Sequence, residues 1–192
     1  MNRILFLTLI LGCGVASQNE NLDAQTNTSQ IPPDALVQDY VSVPGLQRAI
    51  LKTDDVTLGE GDFLNRLHHG SWTSYDANGK ITQITTYLEG KKQGVELSFD
   101  NLGYVSTKAY YHNDQLDGEF LIYKRRNIVE RKSYRNGVLD GTQQKFYVDG
   151  TLMEQSTYVD GKYDGVARWY DQEGNLKIEY TYDMGKLVQD ED

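Results

Sequence analysis

The chain has 192 residues, a formal net charge of −9 and a single cysteine. That is enough for one domain with attachments, and it rules out an intrachain disulfide framework or a cysteine-rich metal site. The acidity, with a sequence pI of about 4.8, argues against a nucleic-acid binder, because phosphate binding needs a cationic face.

The first element is an address. Arg3 and the amino terminus supply a short positive region, and Ile4 to Leu11 are a mostly apolar run of eight residues. A spanning helix needs about 20 residues, so this run fits the apolar part of a signal peptide. The tetrapeptide Ile10-Leu11-Gly12-Cys13 is similar to the lipobox of bacterial lipoproteins. The resemblance implies a signal peptide over 1–12, cleavage before Cys13, and acylation of the Cys13 sulfur and its new amino terminus. Two or more acyl chains anchor a protein stably, at about 0.8 kcal/mol per buried CH₂, where one chain binds marginally. In enterobacterial lipoproteins an aspartate after that cysteine marks inner-membrane retention. Here Gly14 follows, so the resemblance implies the outer membrane, on its periplasmic or surface face. Residues 13–40 are rich in Asn and Gln with no apolar period, and read as a flexible lipid-anchored tether.

Residues 41–69 read as a degenerate N-terminal cap or partial repeat. Phe63 lies seven residues before Gly70, and Gly45 lies 25 before it. Terminal repeats are expected to be atypical.

From Gly70 the chain repeats itself. Units open at Gly70, Gly94, Gly118, Gly141 and Gly165, with 24 residues each except the third, which has 23. Five residues after each opening glycine stands an aromatic residue: Tyr75, Phe99, Tyr123, Phe146 or Tyr170. Nine after it stands Gly79, Gly103, Asn127, Gly150 or Gly174. Further on come Tyr87, Tyr111, Tyr134, Tyr158 and Tyr182, each followed three residues later by Gly90, Asp114, Gly137, Gly161 or Gly185. All these glycines are read as turn residues of hairpins, because Gly tolerates positive φ. The runs between them are β-branched, aromatic or polar, with apolar residues at even spacing from the tyrosine, which places both on one face of a strand. The fold class is all-β: an elongated, single-layer antiparallel β-meander of about five hairpin repeats over 70–188. An acidic tail at 189–192 guards the open edge.

The pattern Y-x-x-G-K-x-x-G-x-x-x-x-Y/F-x-x-x-G, best seen at Tyr87–Gly94 and Tyr158–Gly165, resembles the MORN repeat, in the bacterial variant that includes YwqK-family antitoxins. The resemblance implies an elongated sheet used for binding or spacing. Asp114 and Asn127 replace glycines of the pattern.

No nucleophile elbow, P-loop or His-Glu-x-x-His motif occurs. No catalytic residue, metal site or cofactor is therefore expected, and the chain is read as not an enzyme. His68 and His69 are adjacent, so on a strand they point to opposite faces and chelate poorly; they read as exposed loop residues. Three features break the repeat and are the candidate binding residues: Trp72, Trp169 and the basic cluster Lys124, Arg125 and Arg126. The leading reading is a non-catalytic, lipid-anchored scaffold for an unknown protein partner in the cell envelope, touching the membrane through its anchor. A toxin-neutralising antitoxin or immunity protein is a second reading. A glycan-binding module is a third: thirteen of the fourteen tyrosines lie in the repeats and would form an aromatic ladder.

Overall fold

The computed structural model describes residues 30–188. The signal segment 1–12, Cys13, most of the tether and the tail 189–192 lie outside the described residues. The rest forms one antiparallel sheet of 16 strands in sequential order. β1 is Leu36–Asp39, β2 Leu46–Thr53, β3 Val56–Leu64, β4 Leu67–Tyr75, β5 Ile81–Leu88, β6 Lys91–Phe99, β7 Val105–His112 and β8 Gln115–Lys124. Then come β9 Asn127–Arg135, β10 Val138–Leu139, β11 Gly141–Phe146, β12 Leu152–Val159, β13 Lys162–Tyr163, β14 Gly165–Tyr170, β15 Leu176–Asp183 and β16 Lys186–Val188. The short β10 and β13 precede β11 and β14 and pair with β9 and β12 respectively. The segment 41–69 continues the meander through β2, β3 and the start of β4. Residues 36–39, placed in the tether by sequence, form β1 and pair with β2 from Leu36↔Ile50 to Asp39↔Gln47.

Two kinds of turn alternate along the array. On one long side the turns are tight. At Glu89–Gly90 both residues have positive φ, 51° and 82°, the two-residue geometry whose twist matches that of flanking strands. Asn113–Asp114, Asn136–Gly137, Asp160–Gly161 and Met184–Gly185 repeat it. On the other long side the loops are wider. Asp76 N–H donates to the Lys80 carbonyl (2.8 Å) and Gly79 N–H to the Asp76 carbonyl (2.9 Å). The Asp76 carboxylate accepts from the amides of Asn78 and Lys80. Asp100 organises its loop in the same way.

The third unit, one residue shorter, closes differently. Asn127, aligned by spacing with the turn glycines, lies in β9, and positive φ falls on Arg125 (59°) and Arg126 (105°). The Asn127 side chain instead donates to the Val148 carbonyl in the next loop.

The opening glycines Gly70, Gly94, Gly118, Gly141 and Gly165 are not at hairpin ends. They sit inside strands or at their starts, where one strand carries two extra residues. Ala109 pairs with Phe120 and Tyr111 with Leu116, so Tyr110 alone faces Asp117, Gly118 and Glu119. Such a bulge bends the strand and raises its twist. Across the other neighbour each opening glycine faces a column tyrosine: Gly70↔Tyr87, Gly94↔Tyr111, Gly118↔Tyr134, Gly141↔Tyr158 and Gly165↔Tyr182. The two strongest columns of the repeat are thus one feature, an aromatic ring laid opposite a bulge that has no side chain.

The units are also joined through their tight turns. Gly90 N–H donates to the His68 carbonyl (2.8 Å), Asp114 to Lys92 (3.1 Å), Gly137 to Leu116 (2.7 Å), Gly161 to Leu139 (2.8 Å) and Gly185 to Tyr163 (2.7 Å). Each turn is therefore hydrogen-bonded to the preceding repeat. This is the nearest-neighbour coupling that makes marginal hairpins stable as an array.

Register puts one continuous row on one face: Val37, Ala49, Gly61, Trp72, Thr85, Glu96, Ala109, Phe120 and Lys132. A second row on that face runs Ile122, Glu130, Lys145, Glu154, Trp169 and Ile178. The core is thin. Ala49, Phe63, Ala109 and Ala167 are buried there, and so are Glu96, Gln143 and Glu154. Glu96 is compensated by Lys92 Nζ (2.7 Å) and by the Thr85 hydroxyl (2.9 Å). Lys145 Nζ meets Glu154 at 2.9 Å. The opposite face carries solvated ion pairs such as Arg131–Glu119 and Arg168–Glu179.

A candidate binding face

Trp72 stands on the packed face of β4. Its indole lies across β3, where a Cβ built on Gly59 would meet Trp72 Cζ2 at 2.7 Å and one on Gly61 would meet Trp72 Cε3 at 2.7 Å. The ring is edge-on to Phe63 and to His68, at 5.7 and 4.8 Å between centroids. Trp72 is therefore part of the packing at this end of the sheet as well as a candidate contact.

His68, read from sequence as an exposed loop residue, is buried in β4. Its ring stacks between Phe63 (4.2 Å) and Tyr87 (4.5 Å). The ring is apolar enough on its faces to fill an aromatic column, which is why a polar letter occurs there. Above this cluster a groove of about 560 Å³ runs between residues 30–33 and a floor that includes His68, Trp72, Gln83 and Tyr87. Gln30 is held at its rim by a bridge to Leu67.

Trp169 lies on the same face near the far end. It faces Glu154 on one side and Ile178 on the other, and meets Tyr180 edge-on at 6.0 Å. Lys124, Arg125 and Arg126 are exposed at the tip of the β8–β9 hairpin. The Arg126 guanidinium sits over the Tyr104 ring, 4.8 Å from its centroid, a cation–π contact. The structure therefore does not gather the three candidates into one site. Trp72 and Trp169 share a face at opposite ends, and the basic tip projects from the long side that bears the wide loops.

The column tyrosines are engaged with neighbours. Tyr158 packs on Tyr163 at 4.4 Å, and Tyr163 stacks on Tyr182 at 5.0 Å. Burial first, and then the Glu96 charge, push the Tyr111 hydroxyl up to about 12 from an ordinary 10.0. Burial raises Tyr87 and Tyr158 as well. A phenol whose folded pKa exceeds its unfolded value contributes stability that is complete below the unfolded value and lost as pH rises through the folded one. The array is therefore expected to keep its melting temperature up to about pH 10 and to lose it progressively between there and pH 12. An alkaline series of circular-dichroism melts, read beside the phenolate absorbance, checks this. Phenolate appearing at the ordinary pKa with the melt unchanged would contradict it.

Among the described residues no group of three or more His, Cys, Asp or Glu side chains is placed to hold a metal ion, and no helix is long and apolar enough to cross a membrane. Comparison with known proteins finds the MORN repeat variant at residues 69–89, 139–160 and 163–184. Those segments fall mainly in the first, fourth and fifth units, and each ends on the first residue of a tight turn: Glu89, Asp160 or Met184. The second and third units, where Asp114 and the shortened Arg125–Arg126 turn depart from the pattern, lie between the matched segments. No curated protein matches the chain at significant similarity. A five-unit period and a column tyrosine opposite each bulged glycine agree with the family match: three segments of this chain match the MORN repeat variant.

Proposed function

We propose that the protein is a non-catalytic repeat scaffold that binds a protein partner and is held at a bacterial envelope membrane by acylated Cys13. The observation that carries the binding half is the contrast between the repeat and its exceptions. The repeat columns are consumed by packing, so specificity falls to side chains that vary between units. Trp169 and the Arg125–Arg126 tip vary and reach solvent. Aromatic and arginine side chains supply most of the contact energy at protein interfaces. A basic tip on an acidic protein steers an acidic partner. The anchor half rests on the charged start, the short apolar run and the Gly12-Cys13 pair. It favours the outer membrane because no aspartate follows Cys13.

The test is affinity capture from an envelope fraction, with mass spectrometry. Trp169→Ala is expected to weaken capture about tenfold at any salt concentration, as truncation of a central aromatic does. Arg125→Glu with Arg126→Glu is expected to weaken it mainly at low salt. The arginine exchange should leave the melt unchanged, and Trp169→Ala should lower it only modestly, because the half-exposed ring meets Tyr180 edge-on. Equal capture by all variants would contradict the assignment. For the anchor, Cys13→Ser is expected to abolish incorporation of labelled fatty acid; labelling that persists would overturn that half alone.

A further inference from the structure

We infer that the C-terminal edge of the sheet is a self-complementary docking strand on which a second copy of this chain pairs antiparallel, joining two arrays into one sheet. In the preceding units the strand equivalent to β15 is paired on both sides. β9 takes β11 through Glu130↔Lys145 and Arg131↔Gln144, and β12 takes β14 through Glu154↔Trp169 and Gln155↔Arg168. The matching positions in β15 are Ile178 and Glu179. Among the described residues, β16 pairs only with Thr181 to Asp183, and Leu176 to Tyr180 have no described strand on that side. The apolar side chains there are about half exposed: Leu176 50%, Ile178 45% and Tyr180 46%. An open edge with apolar side chains on one face is a template for another strand.

Charge selects the occupant and the register. Antiparallel pairing that keeps each face continuous lets only residues of the same face oppose one another. Placing Ile178 opposite its own copy puts Leu176 opposite Tyr180 of the second copy. It also puts Lys177 opposite Glu179 of the second copy, twice over, on the other face. Centring instead on Glu179 or on Lys177 opposes like charges, which destabilises a cross-strand pair. Lys177 and Glu179 also hold Asp171 (2.8 Å) and Arg168 (2.6 Å) within the chain, so both side chains already lie along this edge. An isologous interface of this kind closes as a dimer and cannot propagate. It would also make the Trp169–Ile178 rows of two copies continuous.

The test is native mass spectrometry of the full chain over a concentration series, released from detergent where it carries lipid. The wild type is expected to dimerise. Lys177→Glu alone and Glu179→Lys alone are each expected to weaken the dimer about tenfold or more, because two attractive cross-strand pairs become repulsive. The double exchange, Lys177→Glu with Glu179→Lys, should restore it. Since the double variant also breaks both intrachain ion pairs, restoration cannot come from the fold of one copy, and circular dichroism confirms that each variant is folded. A wild type that stays monomeric overturns the proposal. So does a dimer indifferent to both single variants, which would point to the β1 edge. So, too, does a monomer that dimerises only when residues 189–192 are deleted, which would make the chain's own end the occupant.

Discussion

Gly61→Val is expected to destabilise the N-terminal third of the sheet by about 3 kcal/mol, the upper end of the usual cost of overpacking. Strand propensity argues the other way, since valine is favoured in strands and glycine is not. The sign of the result therefore separates packing from propensity. A Cβ at Gly61 would meet the Ser71 carbonyl at 2.7 Å, Trp72 Cε3 at 2.7 Å and Trp72 Cα at 3.0 Å. Two of these are backbone atoms of the paired strand and cannot swing aside. The indole would be displaced from the shelf made by Gly59 and Gly61, and with it the Phe63–His68–Tyr87 stack. A urea melt followed by tryptophan fluorescence measures the loss. A midpoint equal to or above that of the wild type would contradict the packing described here.

Gly118→Val should cost about 2–3 kcal/mol, for a different reason. Gly118 has a φ of 113°, a region that β-branched residues essentially do not enter. A Cβ there would also lie 3.3 Å from Tyr110 Cβ. The substitution must flatten the bulge, and Leu116, two residues before Gly118 on β8, is the acceptor for the next tight turn. Loss is therefore expected beyond the site, at the Gly137–Leu116 bond next along the array. Gly79 offers the comparison: its φ is also positive, 77°, but nothing lies within 4 Å of a Cβ built there. Gly79→Ala should cost only about 1 kcal/mol, from backbone strain alone. Equal losses at Gly118 and Gly79 would mean that the opening glycines are ordinary turn residues.

Much of this architecture was legible in the residues. A glycine every 23 or 24 positions with an aromatic residue at a fixed offset can only be satisfied by a repeated supersecondary unit. The alternation between turns admitted only strands. What the letters could not separate was a glycine in a turn from a glycine in a bulge, because both demand positive φ. Gly94 and Gly90 look alike in sequence, yet Gly90 closes a hairpin and Gly94 lies within β6. Asn127 misled for a related reason: deleting one residue from the loop moved the positive φ onto Arg125 and Arg126. β1 was hidden because four residues outside the period carry no repeat signal.

The candidate site was less legible than the fold. Trp72 was visible as an exception to the repeat, but its seat on Gly59 and Gly61 was not, since those glycines lie in the atypical first segment. Nothing in the letters singled out Glu96 and Glu154. In a sheet with so thin a core, their burial beside Lys92 and Lys145 became visible only once the strands were in register. Trp169 and the basic tip stood out as departures from the pattern, but no spacing rule could say that they lie apart.

Each tight turn is bonded to the repeat before it, so that the meander behaves as one coupled array. Amide hydrogen exchange at Gly90, Asp114, Gly137, Gly161 and Gly185 tests it most directly. These amides sit at hairpin tips, where an independent turn would leave them open to solvent. If the turns are coupled, all five exchange as slowly as amides in the centres of their own strands, and Gly118→Val speeds exchange at Gly137. Exchange at all five at the rate of an unstructured turn would contradict the coupling and reduce the array to a row of separate hairpins.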